Sequence, residues 1–498
     1  MNVNPITRLD YPDPDVIRVE DTYYMVSTTM HFMPGCEILQ SFDLVHWEHV
    51  TYVYETLDHT DAQQLKSGQN IYGQGMWAAS LRYHEGRFYI CFVANDTRKT
   101  YLYTSEKIDG PWKKQLIEGF YHDGSLLFDE DGRSYIVYGN DEIWITELNE
   151  DLTAPKKDGL HRLLVSDHKN PELGYEGSHI QKINGYYYIF LVHSLRDRWM
   201  RTEACFYSDS LEGEFTGGDV LCDDRGYCGQ GVAQGGIVDT PDGKWYAMLF
   251  QDSRAVGRIP ILLPVTWKDH FPFFGQNGHV PEEIEVHSTR PGYIYQPLVG
   301  SDDFCNGLLP RWQFNHDPDP RYYHLDALQG TYTITTREVC TELTQAVNTL
   351  TQRMSYPSCA AEVTVDASAL KEGVVAGLCA LQSCYAAVGI TKHHGKYEVL
   401  MLDKKEDGIM DMTEGTVVES HQMDFRLEAD FCNMKDEARC YYRVNKGDWL
   451  PIGTVHTLYF KLDHFTGCRF GLFCYAAEET GGSACFRDFK YYDVDEIS

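Results

Sequence analysis

Apolar residues in the first half of the chain alternate with polar ones in short runs, and the runs come in pairs joined by acidic or glycine turns. Strict alternation puts one face of an extended strand in a core and the other outward, so each pair predicts a β-hairpin. One version of the hairpin recurs five times. It reads Pro14-Asp-Val-Ile-Arg-Val-Glu-Asp21-Thr-Tyr23-Tyr24, then Ser80-Leu-Arg-Tyr-His-Glu-Gly86-Arg-Phe88-Tyr89, then Ser125-Leu-Leu-Phe-Asp-Glu-Asp-Gly132-Arg-Ser-Tyr135. The last two are Ser178-His-Ile-Gln-Lys-Ile-Asn-Gly185-Tyr-Tyr187-Tyr188 and Gly236-Ile-Val-Asp-Thr-Pro-Asp-Gly243-Lys-Trp245-Tyr246. Asp-Gly and Asn-Gly suit tight hairpin turns because both central residues need positive φ. Further landmarks, Ser41…Trp47, Ser105…Trp112 and Ser208…Phe215, supply an outer hairpin to most copies.

The turns recur about every 45–65 residues, the spacing of four-stranded propeller blades with loop insertions. The pattern predicts an all-β chain: a five-bladed β-propeller over residues 1–296, followed by a second domain over 297–498. In that second half, Thr331–Thr335, Ala361–Val365, Tyr397–Met401 and Arg469–Phe473 alternate without the blade signature, which predicts an antiparallel β-sandwich.

The repeat also predicts a site. The inner strand of each blade begins at the propeller axis, so equivalent first residues share one funnel. Nine positions before each turn glycine stand Trp77, Asp123, Glu176 and Gln234, and the shorter first copy gives Asp13. Three carboxylates, one large aromatic and one amide should ring the axis. Such crowded acids cannot all ionise freely, so at least one should have a raised pKa. That arrangement suits glycoside hydrolysis: one carboxylate activates water, a protonated one donates to the leaving oxygen, and an aromatic plate stacks on a sugar ring.

Charge narrows the ligand. With 43 Lys and Arg against 74 Asp and Glu, the net charge is −31, which argues against nucleic acid and anionic membrane surfaces. The fifteen cysteines form no CxxC pair and no disulfide framework, and Met1–Asp10 shows neither a basic nor an apolar leader region, so a cytoplasmic protein is expected. A homo-oligomer stays open. There is no phosphate loop, no GxSxG elbow and no HExxH spacing.

The stretches Tyr11-Pro-Asp13-Pro-Asp-Val-Ile-Arg, Gly75-Met-Trp77-Ala-Ala-Ser-Leu-Arg, Asp123-Gly-Ser-Leu-Leu-Phe-Asp, Tyr175-Glu176-Gly-Ser-His-Ile, Gln234-Gly-Gly-Ile-Val-Asp-Thr and Ala255-Val-Gly-Arg258 occur in an order that resembles glycoside hydrolase family 43. The likeness is to its two-domain β-xylosidase/α-L-arabinofuranosidase members, with Asp302-Asp-Phe304…Trp312 resembling the start of their concanavalin-like sandwich. It implies Asp13 as general base, Glu176 as general acid and Asp123 as modulator of the acid. It also implies Arg258 reaching the sugar or Asp123, and Phe32 with Trp77 walling the pocket. The implied activity is exo-acting, inverting release of terminal pentoses from a small oligosaccharide substrate. An endo-arabinanase-like hydrolase and a non-catalytic carbohydrate-binding protein are the alternatives. No cofactor is expected to be required. Many relatives carry a histidine near Gln234 that can accompany an axial Ca²⁺; the run Gly231-Val-Ala-Gln234 has none, so such an ion would rest on carbonyl and water ligands alone. Exo-cleavage needs one end of the funnel blocked. The segment Glu478-Glu-Thr-Gly-Gly-Ser-Ala-Cys-Phe486 is expected to reach over the rim and bring Phe486 to the substrate.

Overall fold

The computed structural model describes residues 2–413 and 415–493. Its first part is a ring of five four-stranded antiparallel sheets. Their innermost strands are Asp15–Val19, Met76–His84, Ser125–Phe128, Glu176–Ile183 and Gly236–Asp239. Each leads through one of the repeated turns into the second strand of its sheet. At Asn184-Gly185 both turn residues take positive φ, 50° and 85°, as the Asn-Gly pair predicts. The alternation is visible in the packing: one face of each sheet fills an apolar layer against the next blade. Between the first two blades that layer holds Tyr54, Leu81, Phe92, Tyr101 and Tyr103.

The ring is closed without a covalent link. Asn2–Val3 pairs with Glu283–Ile284. Asn4 then completes a two-way amide bridge to the last blade, donating Nδ2 to the Leu262 carbonyl at 2.8 Å and accepting the Leu262 N–H at 3.1 Å. Among the described residues no helix is long and apolar enough to cross a membrane.

The second part is a sandwich of one nine-stranded and one seven-stranded antiparallel sheet. Inward residues of both, including Ile334, Val363, Leu378, Val388, Phe425 and Phe470, make one core. Phe486 belongs to that core. It is fully buried, its ring near Tyr332, because Ser483–Asp493 is a central strand of the seven-stranded sheet. The expectation that it reaches the funnel is therefore corrected.

The linking segment lies along the first blade, where Phe42 N–H donates to the Tyr295 hydroxyl at 2.8 Å. The chain does not divide cleanly, however. Phe32–Met33, inside the first blade's sequence, pairs with Gln313–Asn315 and forms the edge of the nine-stranded sheet. Buried polar contacts back this exchange. Arg353 of the sandwich meets Glu37 of the first blade at 2.9 Å, donates Nε to the Asp10 carbonyl at 2.9 Å, and covers the Tyr11 ring at 4.0 Å. The two parts are thus joined at the rim that carries the site.

Candidate active site

The predicted ring forms, and irregular backbone builds it. Asp13 and Asp123 stand two residues before their inner strands with positive φ, 52° and 47°. Aspartate enters this region more readily than most residues, and the turn swings each carboxyl toward the axis. Trp77 and Glu176 lie on strands whose register shifts directly after them, a bulge that re-aims a side chain at the edge of a sheet. Gly177, next to Glu176, has φ +68°, and a Cβ there would fall 2.2 Å from the Gln234 amide carbon. Only glycine lets the fifth blade's amide close against the fourth blade here.

Asp13 is buried and fully engaged. Its Oδ1 receives Arg258 Nη1 at 3.0 Å and its Oδ2 receives the Thr28 hydroxyl at 2.6 Å. Arg258 therefore pairs with Asp13 rather than Asp123. Thr28 in turn accepts the Ala78 N–H at 2.8 Å, fixing the base relative to the Trp77 strand. Asp123 is buried; burial pushes its pKa up to about 6, opposed by the neighbouring His122 charge and reinforced by Glu176 and Asp13. Its Oδ2 accepts the Gly177 N–H at 3.1 Å. Glu176 is half-buried and accepts Asn140 Nδ2 on Oε2 at 2.7 Å. A buried base held by a cation and a more open acid beside a third carboxyl are the parts that hydrolysis of a glycosidic bond requires.

Three residues of this site were not anticipated. His122 places Nε2 3.6 Å from Asp123 Oδ2 and 3.5 Å from Glu176 Oε2. The Asp123 charge raises its pKa to about 9 against the cost of burial, with Glu176 adding to the rise. Its position immediately before Asp123 was the available signal. Asn140 carries no signal of that kind. Phe465 comes from the sandwich, on the loop before Arg469–Ala476. Its ring lies 4.1 Å over the Arg258 guanidinium and 5.6 Å from Trp77, and its carbonyl accepts Arg258 Nη2 at 3.3 Å. The loop is pinned where Gly467 N–H donates to Asp10 Oδ2 at 2.9 Å; Asp10 Oδ1 accepts the Arg258 N–H at 2.8 Å. A side chain at Gly467 would strike the Val256 carbonyl at 2.3 Å. The sandwich thus does supply an aromatic wall, through Phe465 rather than Phe486.

Phe32 is the other correction. Its strand belongs to the sandwich sheet, and the Arg469 guanidinium covers its ring at 3.4 Å among Leu343, Tyr385 and Phe473. It has no face left for a sugar.

Beneath the acids, the residues present do not suit an axial Ca²⁺. Just beneath the acids, Arg82 reaches across the inner edges of four blades. It donates Nη1 to Asp15 Oδ2 at 2.8 Å, Nη2 to Ser125 Oγ at 2.7 Å and to the Ile180 carbonyl at 3.2 Å, and Nε to the Leu126 carbonyl at 2.8 Å. The oxygens that would ligate a hard cation already bind a guanidinium. Asp15 also meets His179 Nδ1 at 3.1 Å and accepts the Leu81 N–H at 2.7 Å. Burial opposes its ionisation, yet Arg82 and His179 hold its carboxyl below the usual range. In the acidic layer above, His122 stands between the Asp123 and Glu176 carboxyls, with donor atoms of all three within 4.8 Å of one another.

Known proteins share this architecture. The family described as glycosyl hydrolases family 43 matches residues 3–272, and the β-xylosidase C-terminal concanavalin A-like domain matches 301–492. A β-xylosidase of Formosa agariphila is 27% identical over 99% of this chain and 89% of its own. A xylosidase/arabinosidase of Humicola insolens is 26% identical, covering 98% of this chain and 96% of its own. A solved structure of a bifunctional GH43-CE protein of Bacteroides eggerthii superposes with a TM-score of 0.93 at 41% identity. It covers all of this chain, which spans 64% of that protein.

Proposed function

Because the chain belongs to glycosyl hydrolase family 43, we propose that it is an exo-acting, inverting glycosidase that releases terminal pentoses, β-D-xylose or α-L-arabinofuranose, from short hemicellulose-derived oligosaccharides. One observation carries this reading: the funnel that gathers Asp13, Asp123 and Glu176 is walled by Trp77 and by Phe465 from the second domain. A wall brought by a separate domain shortens the groove and favours attack at a chain end. The names of the Formosa and Humicola relatives support a pentoside substrate, and the second of them names both sugars.

In this mechanism Asp13 takes a proton from water, whose oxygen bonds to the anomeric carbon from the face opposite the leaving group. Glu176 gives a proton to the glycosidic oxygen as its bond to that carbon breaks. Arg258 and Thr28 hold Asp13 still, which matters because a misplaced base loses the advantage of proximity. Asp123 sets the charge around the acid. Arg82 supplies positive charge on the axis beneath the acids.

Proton NMR of the first sugar formed from xylo-oligosaccharides, with product lengths followed in parallel, tests the reading. Single pentoses of inverted anomeric configuration are expected. Retained configuration, mid-chain products or no turnover would each overturn it.

A further inference from the structure

His122 has no part in the mechanism above, yet its geometry ties the acid to the modulator. Its Nε2 stands 3.5 Å from Glu176 Oε2 and 3.6 Å from Asp123 Oδ2, and it has no hydrogen bond of its own. The side chain is 21% exposed. Its carboxyl neighbours are each held from another side: Asn140 holds Glu176 Oε2, the Gly177 N–H holds Asp123 Oδ2, and Arg258 and Thr28 hold Asp13. The Trp77 ring lies tilted 6.2 Å from the imidazole and offers it no charge. The titratable and charged groups facing His122 are therefore Asp123, Glu176 and, further off, Asp13, all acidic.

A cation at this point creates a difficulty. If Asp123 serves only to keep a proton on Glu176 by like-charge repulsion, an imidazolium between them cancels that effect. The difficulty disappears if the imidazolium is where the proton waits. We propose that His122 is a positioning residue that stores the catalytic proton and passes it to Glu176, which delivers it to the leaving oxygen; the idea rests on the glycosidase reading above.

The step balances. The proton leaves His122 Nε2 for the Glu176 carboxylate, then moves from Glu176 to the glycosidic oxygen as the C–O bond breaks, while Asp13 takes one proton from the attacking water. Asp13 returns its proton to solvent, and His122 regains one from solvent before the next turnover. Glu176 remains the group that touches substrate. The raised pKa of His122, driven mainly by Asp123, agrees with this store staying filled well above neutral pH.

The sign of one shift tests the proposal. In His122→Gln and His122→Phe, the alkaline limb of kcat/KM on xylo-oligosaccharides should move to lower pH by about one unit, so activity near pH 8.5 falls on the order of tenfold with little change near pH 5.5. The loss should be much smaller on p-nitrophenyl pentosides, whose leaving group needs little protonation. If His122 were only a fixed charge, removing it would raise the acid's pKa and move the limb upward. An upward or absent shift, or equal losses on both substrates, overturns the proposal. Absence of turnover in the wild type would instead overturn the glycosidase reading. Should neither variant fold, NMR titration of the wild-type imidazole C–H resonances gives a second refutation: the absence of any histidine titrating near pH 9 removes the store.

Discussion

Two layers of charge sit on the propeller axis, and they are built to opposite rules. In the lower layer Asp15, Arg82, Ser125 and His179 saturate one another: each carboxyl oxygen of Asp15 has a buried partner, and four of the five blades share one guanidinium. In the upper layer the groups other than Asp13 are under-committed. Glu176 is half-buried, His122 stands just beyond hydrogen-bond distance of both its carboxyls, and the Trp77 indole N–H lacks a partner. A saturated buried network makes a rigid hub, and an unsaturated one keeps donors and acceptors for a ligand at a cost in stability. The ring is held below so that it can react above.

The sharpest way to break this contrast is to compare Asp13 with Asp15. Asp13→Asn should lower kcat/KM by about 10⁴-fold, since an amide cannot take the water's proton, while its carbonyl oxygen keeps Arg258 partnered and the melting temperature falls less than in Asp15→Ala. Asp15→Ala should cost about 3–5 kcal/mol of stability by stranding Arg82 in the hub. Kinetics and thermal melting on both variants check this; a stable Asp15→Ala protein would mean the lower layer is not the hub.

Next in size is the acid. Glu176→Ala should lose on the order of 10²–10⁴-fold on xylo-oligosaccharides and much less on p-nitrophenyl pentosides, whose leaving group departs with little protonation. Equal losses would move the acid's role elsewhere.

Stability against pH should then have opposite signs in the two layers. Asp123 has its folded pKa raised by burial to about 6, so the folded state binds this proton more tightly than the unfolded chain does. Its effect on stability is neutral below about pH 4, becomes unfavourable as pH rises through about 6, and reaches about 3 kcal/mol above that. Asp123→Asn should therefore raise the melting temperature at pH 7, with the gain vanishing toward pH 4, while moving the alkaline limb of activity to lower pH. Asp15 has its folded pKa lowered, so it contributes stability above the ordinary carboxylate range and loses it as pH falls through its depressed pKa. Asp15→Asn should be most costly at neutral pH. Melting curves at pH 4 and pH 7 separate the two signs.

The smallest expected effect is none at all. Chelation with EDTA, or added Ca²⁺, should leave activity and melting unchanged, because Arg82 already occupies the oxygens an axial cation would use. A loss on chelation would show that a metal sits on this axis after all.

Much of this was legible in one dimension. The hairpin repeat carries its own register, and counting back from each turn brought Asp13, Trp77, Asp123, Glu176 and Gln234 to one ring, because inner strands of equal design start at equal depth. The sandwich could be read from alternation alone. What alternation cannot report is which segment crosses between domains. Thr29–Gly35 reads as a pocket loop, yet two of its residues complete a sheet whose next strand begins at Gln313. Phe32 is lost to the site for that reason. Phe486 and Phe465 look alike in sequence, each an aromatic near glycines. A central position in the seven-stranded sheet buries the first, while a loop pinned through Gly467 to Asp10 delivers the second to Arg258. The partner of Arg258 and the place of His122 likewise depend on distances between blades, which no local spacing encodes. Sequence by itself determined the blades, their register and the acids at the axis, since these follow from periodicity within one repeat. Only the tertiary structure decided which charges pair, which cation fills the axis and which aromatic closes the funnel, since those contacts join residues hundreds of positions apart and are chosen by packing.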